Sequence, residues 1–219
     1  MNIGIIGAGN IGGSLTRRLT GLGHKVSVAN SRGPKTLTGL AAETGAMPAD
    51  LDKVARGADI VIIAIPEKGV PMLPKDVLDG MADDAAVIDT GNYYPGRDGK
   101  IDAIEDGKPE SQWVQEQIEH PVVKAFNGVL ADALLEKPMP KGSPGRLGVA
   151  IASDDSAAKA KVMALVDELG FEPVDAGTIA DTWRQQPGTP WYGKGFDADG
   201  VRRALEAASP ERAKEFRTA

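Results

Sequence analysis

Residues 1–19 read MNIGIIGAGNIGGSLTRRL, and the reading of this stretch decides the fold. A β-branched run over 2–6 leads at once into Gly7, Gly9 and Gly12, spaced G-x-G-x-x-G. Ile11, Leu15, Leu19 and Leu22 then recur at helical spacing, and Gly23 supplies a stop. A strand, a glycine turn and a helix in that order are the setting in which this motif holds a dinucleotide pyrophosphate. The first glycine permits a tight turn, the second lets the backbone approach the phosphates, and the third lets the helix close on the strand. The helix start adds free N–H groups and a favourable dipole. A tight turn without a ligand uses the same glycines, but the strand and helix around them favour the cradle.

Outward from this unit the alternation continues. Strand-like runs fall at 26–29, 59–65, 86–89, 122–126, 147–152 and 171–175, with a weaker one at 45–47. Several are apolar on both faces, as parallel strands covered by helices on two sides must be. A helix capped by Asp154 is expected to carry Val162, Leu165, Val166 and Leu169 and to end at Gly170. The fold class is therefore α/β, a Rossmann-type, doubly wound, mainly parallel sheet over residues 1–177. Residues 178–219 form a short C-terminal extension of helix and loop, packed on the same domain or on a dimer partner. One helix is expected near 199–208, and the charged end is expected to fray.

The second strand identifies the dinucleotide. An acid at its end usually holds the ribose hydroxyls of NAD or FAD. Here it ends in VANSRGPK, residues 28–35, with Asn30, Ser31, Arg32 and Lys35 and no acid. Nothing repels a 2′-phosphate, and Arg32 can hold one with charge-assisted hydrogen bonds, helped by Ser31 and Lys35. A solvated basic loop is the bland alternative. Its position where the adenosine ribose lies favours NADP(H).

The chain of 219 residues is 42% hydrophobic and 26% charged, with a net charge of −6 and no cysteine. These values suit a globular protein of one large domain, with or without a small appendage. The absence of a Lys/Arg run disfavours nucleic acid and anionic membranes as partners. Without cysteine there is no disulfide and no thiolate nucleophile. The longest apolar run, 60–66, is too short for a bilayer, and because the residues after Met1 read as a strand no signal peptide is expected. A cytoplasmic protein is expected. Asp83 with Asp84, and Asp154 with Asp155, read as turn and cap residues, so no metal site is expected. His24 and His120 read as turn residues.

GIIGAGNIGGSL (4–15), ANSRGPK (29–35), ADIVIIAIP (58–66), VIDTGNYYPGRDG (87–99), VVKAFN (122–127) and DELGFEPVDAG (167–177) carry a further signal. Together they resemble the NADP oxidoreductases dependent on coenzyme F-420, a deazaflavin. Similar segments occur in the cytosolic NADPH-binding domains of six-transmembrane ferric reductases. The resemblance implies a Rossmann-type domain that binds NADP(H), works as a homodimer, and exchanges hydride directly with a flavin or deazaflavin. Carried onto this sequence, it places the pyrophosphate at Ala8, Gly9, Asn10 and Ile11 and the 2′-phosphate at Ser31, Arg32 and Lys35. The nicotinamide would be lined by Ile65, Pro66, Asn92 and residues 124–127, near Ala131. In the deazaflavin enzymes a histidine stands where this chain has Asn127; the ferric-reductase domains look more like the asparagine form.

Hydride transfer between two rings needs little acid–base help, because the cofactors carry the chemistry. The protein stacks the rings and excludes water. No catalytic residue is assigned; Lys124 and Asn127 are the candidates. Lys124 would polarise a carbonyl or pair with a ligand carboxylate, or else be an edge lysine with a solvated head. Asn127 would donate to the nicotinamide amide or to the acceptor, or else cap the next helix. Trp183, Trp191 and Tyr192, with Arg184, would wall a flat acceptor or anchor a dimer contact. Two other functions fit the opening motif: a dehydrogenase or imine reductase acting on a small carbonyl or imine, and a non-catalytic NADP-binding redox sensor.

Overall fold

The central strands are buried on both faces, and β4 (Ile60–Ile63) and β5 (Ala86–Asp89) have no exposed position. In the computed structural model, which describes residues 1–218, β1 (Asn2–Ile6), α1 (Asn10–Gly21), β2 (Lys25–Ala29), α2 (Thr38–Thr44) and β3 (Met47–Pro48) precede them. After β5 come α3 (Pro95–Asp98), α4 (Asp102–Glu105), α5 (Glu110–Ile118), β6 (Val123–Lys124) and α6 (Ala131–Glu136). β7 (Gly148–Ile151), α7 (Ser156–Glu168), β8 (Glu172–Asp175) and α8 (Ala198–Glu206) follow. The main sheet has the order β3-β2-β1-β4-β5-β6, with every pair parallel. This is the doubly wound Rossmann order, whose direction reverses between β1 and β4 and opens a crevice at the carboxyl ends of the strands.

Side chains of the sheet alternate between two apolar layers. Ile3, Ile5, Val28, Ile60, Ile62 and Ile88 pack with Leu15 and Leu19 of α1 and with Val162, Leu165 and Val166 of α7. Ile6, Val61, Ile63 and Val87 face the other way, onto Tyr93, Ile104, Trp113 and Val114. No helix of the described residues is long and apolar enough to cross a membrane.

Three details differ from the sequence expectation. The runs at 147–152 and 171–175 pair with each other as a separate parallel two-stranded sheet, joined to the main one by an antiparallel bridge between Lys124 and Ala152. β6 is shorter than the expected 122–126 because Phe126 enters the left-handed region at φ 65°. Asp155, not Asp154, caps α7, accepting the N–H groups of Ala157 and Ala158; Asp154 takes the N–H of Ile179 at 3.1 Å. α8 lies on the small sheet through Val201, Ala204 and Leu205, with Trp191 in the same apolar cluster.

Residues 212–216 are tied to the body of the fold rather than frayed. Arg212 reaches Glu110 at 2.8 Å and donates to Gln186 Oε1 at 2.8 Å. Phe216 lies against Tyr94 with ring centroids 6.0 Å apart. Within the charged tail one arginine reaches the buried Glu110 and one aromatic packs on Tyr94, long-range pairings that local polarity hides.

Candidate functional site

The glycine loop divides its three positions by physical need. Gly7 has φ +106°, and a Cβ there would lie 2.3 Å from the Ala64 carbonyl oxygen. A Cβ on Gly12 would lie 1.9 Å from the Gly7 oxygen, so here the helix closes on the strand. A Cβ on Gly9 meets nothing within 4 Å. Two glycines are demanded by packing; the third faces open space. Gly9 is also the N-cap of α1, with no side chain capping the helix and no acid in its first turn. Its free N–H groups therefore suit an anion. Gly9 and Asn10 are exposed at this opening, and Ala8 and Ile11 are half-buried. Gly12→Ala is expected to lower unfolding stability by about 1–3 kcal/mol, because the obstructing atom is backbone and cannot swing aside. Urea denaturation of the variant reads this.

At the end of β2 the side chain of Asn30 organises the loop. Its Oδ1 accepts the Arg32 N–H at 2.9 Å, and its Nδ2 donates to Thr36 Oγ1 at 3.0 Å. Ser31, Arg32 and Lys35 are exposed, and residues 30–38 contain no carboxylate.

The ends of β4, β5 and β6 bring further expected residues together. Ile65 and Pro66 follow β4. Asn92 donates to the Asn127 carbonyl at 2.9 Å, and Asn127 Nδ2 contacts Asn92 Oδ1 at 3.1 Å and the Gln185 carbonyl at 2.7 Å. Asn127 thus joins two strand ends to the segment Ile179–Gln185 instead of capping α6, whose N-cap is Leu130. The Oδ1 of Asn127 and both side-chain polar atoms of Gln185 are buried without hydrogen-bond partners. Such groups call for a partner, and a carboxamide or heteroaromatic ring supplies one. Ala131 opens α6, which packs against α1.

Lys124 is neither a solvated edge lysine nor a group held out to a ligand. It is fully buried, paired with Asp89 Oδ2 at 2.9 Å and donating to the Gly91 carbonyl at 2.6 Å. Asp89 in turn accepts from Ser111 Oγ and from the Gly91 N–H, both at 2.7 Å. Burial pulls the Lys124 ammonium down, but Asp89, Glu67 and Glu110 outweigh it and the net shift is upward. Its work is to hold the 89–92 turn.

The aromatic residues separate. Trp191 is core: it is 2% exposed, and its ring fills the space where a Cβ on Gly128 would sit. Arg184 lies over the Trp183 ring at 5.0 Å. Tyr192 meets Tyr94 hydroxyl to hydroxyl, and the Arg97 guanidinium covers the Tyr94 ring at 4.9 Å.

Sequence reasoning missed a set of buried acids beside these strand ends. Glu67, directly after Pro66, is fully buried with both oxygens unpartnered. Burial and then the charge of Asp89 push its carboxyl well above the ordinary range, against the pull of Lys124. Glu110 is 1% exposed and also raised by burial, with Lys124 and Arg212 opposing. Its contact with Arg212 is an ion pair without the alignment of a hydrogen bond. An acid directly after the apolar run 60–66, in AIPEKGV, was the available signal.

Residues 2–93 match the family model described as NADP oxidoreductase, coenzyme F420-dependent. A hypothetical protein of Sinorhizobium meliloti, SMa0349, is 32% identical with a TM-score of 0.77, covering 90% of this chain and 95% of its own. A putative F420-dependent NADP-reductase from Arthrobacter sp. FB24 is 25% identical with a TM-score of 0.68, covering 82% of this chain and 86% of its own. The N-terminal part of the chain, residues 2–93, is similar to the F420-dependent NADP oxidoreductases. The putative protein YjhV of Escherichia coli K12 is 49% identical over 70 residues, 32% of this chain, and the match spans about half (51%) of that curated relative. The residues present fit the dinucleotide of that oxidoreductase family: an open glycine position at an uncapped helix start, an acid-free loop bearing Arg32 and Lys35, and unpartnered carboxamide atoms at Asn127 Oδ1 and on Gln185.

Proposed function

We propose that this chain is an NADPH-dependent oxidoreductase that passes hydride between NADP(H) and a flavin or deazaflavin ring. The observation that carries the reading is the open Gly9 position beside a β2 loop with Arg32 and Lys35 and no acid. In this reading Gly7, Ala8, Gly9, Asn10, Ile11 and Gly12 hold the pyrophosphate, and Asn30 shapes the loop that presents Ser31, Arg32 and Lys35 to the 2′-phosphate. Ile65, Pro66, Asn92 and Ala131 border the nicotinamide, and Asn127 and Gln185 offer it hydrogen bonds. When bound, NADPH supplies the hydride. The protein's residues orient the ring and exclude water from it. The working unit is a cytoplasmic homodimer whose partner is a small-molecule redox acceptor. Met72 and Leu130, 82% and 63% exposed, are apolar side chains that a second copy would cover.

A second reading has its own support. Tyr94, two residues after Asn92, pairs its hydroxyl with that of Tyr192, and such a hydroxyl can supply the proton that a small carbonyl or imine needs from the protein and that a flavin ring takes up from solvent. Anaerobic NADPH oxidation against FMN, FAD and the deazaflavin coenzyme separates the two. Turnover with one of these rings is expected. Failure of all three, with NADPH bound and a small carbonyl or imine reduced, replaces the first reading by the second. Binding without turnover of any acceptor leaves a redox sensor.

A further inference from the structure

Seven charged groups from six segments meet beside the ends of β4 and β5. Asp89 of β5 pairs with Lys124 of β6 at 2.9 Å, and Asp98 of α3 with Arg97 at 2.8 Å. Glu110 of α5 meets Arg212 of the tail at 2.8 Å. The seventh is Glu67, which opens the turn Glu67–Met72 and has no hydrogen-bond partner for either oxygen. Three acids have a cation and the fourth does not. An isolated carboxylate in such a place is too costly to keep ionised, so Glu67 holds its proton; its buried neighbours Asp89 and Lys124 act on it in opposite senses.

The position of this acid gives the proton a use. Glu67 follows Ile65 and Pro66, and a Cβ on Gly91 would lie 2.5 Å from its Oε1. Gly91 precedes Asn92, so the acid lies behind the two strand ends that border the nicotinamide in the proposed reading. That ring is neutral in NADPH and carries a positive charge in NADP⁺. A group that cannot ionise beside a neutral ring can do so beside a cation.

We propose that Glu67 is the charge partner of the oxidised nicotinamide: neutral when NADPH is bound, ionised when NADP⁺ is bound. The proposal rests on NADP(H) being the dinucleotide. NADP⁺ binding then releases one proton, as the Glu67 O–H bond breaks and the proton leaves to solvent. In turnover NADPH gives up a hydride and becomes NADP⁺, and Glu67 releases a proton. The acceptor gains that hydride plus one proton from solvent, and Glu67 is reprotonated when NADP⁺ departs. No further oxidant or reductant is needed. The carboxylate does not touch the transferred hydrogen; it acts through its field.

The test is calorimetric binding of NADP⁺ and of NADPH to the full chain between pH 5.5 and 9, in buffers of different ionisation enthalpy. Wild-type protein and Glu67→Gln are compared. The 2′-phosphate titrates in both nucleotides, so the difference between them isolates the ring. For wild type the NADP⁺/NADPH affinity ratio is expected to rise with pH, by up to about tenfold per unit, with a matching proton release specific to NADP⁺. Glu67→Gln is expected to flatten that ratio and to weaken NADP⁺ about tenfold at the upper end, leaving NADPH within about twofold. An equal slope and proton count in both proteins overturns the proposal while the cofactor reading stands. Wild-type protein that releases no NADP⁺-specific proton overturns it whether or not the variant folds. Failure of wild-type protein to bind either nucleotide overturns both readings.

Discussion

Lys124→Ala is expected to lower unfolding stability by about 3–5 kcal/mol, the range for removing one partner of a buried ion pair. Lys124 and Asp89 are 0% and 2% exposed at their side chains, so solvent cannot take over the lost contact. The ammonium also satisfies the Gly91 carbonyl at 2.6 Å, and its charge opposes the rise that burial gives the Glu67 and Glu110 carboxyls. Its removal strands Asp89 beside two acids already raised by burial. Lys124→Met restores part of the volume and none of the charge, so it should recover only the packing part of the loss. Because Glu110, already raised by burial, takes up a proton more readily once the opposing ammonium is gone, the deficit should shrink as pH falls from 7 toward 5. Urea denaturation at several pH values measures both effects. A loss below about 1 kcal/mol at pH 7 would mean that the pair contributes little and that Lys124 is free for another role.

Such effects mark where local reading of the chain stopped. The glycine trio, the β-branched runs and the stop at Gly23 are short-range signals, and they yield the doubly wound parallel class and the cradle because each depends only on neighbours in sequence. The Asn30–Lys35 loop was legible for the same reason: what mattered was the absence of an acid within a few residues. The fate of Lys124 was not, since it depends on Asp89, 35 residues away in the chain, and on Ser111 of α5. Glu67 drew no reading at all, since its burial depends on segments distant in sequence that close over it. Trp191 read equally as pocket wall or interface; only the approach to Gly128, across more than sixty residues, makes it core. The tail misled most. Its charges suggested fraying, yet Arg212 finds Glu110 in the interior and covers the Tyr93 ring at 5.3 Å.

Arg32→Ala is expected to weaken NADPH binding about 30- to 100-fold, equivalent to about 2–3 kcal/mol, while NADH binding changes less than about twofold. The loop should keep its shape in the variant, because Asn30 Oδ1 holds the backbone N–H of residue 32 rather than its side chain. What disappears is the planar guanidinium, which grips a phosphate through paired donors. Lys35 remains as a mobile point charge, so Lys35→Ala should cost only about threefold, and that loss should fade as salt screens an exposed group. Fluorescence titration with both nucleotides reads the contrast directly. The ratio of the two losses decides the matter: Arg32 recognises a 2′-phosphate only if NADPH suffers and NADH does not. Equal losses would make the residue a general support of the loop and reopen the choice of dinucleotide, because no other residue between 30 and 38 carries a fork of donors.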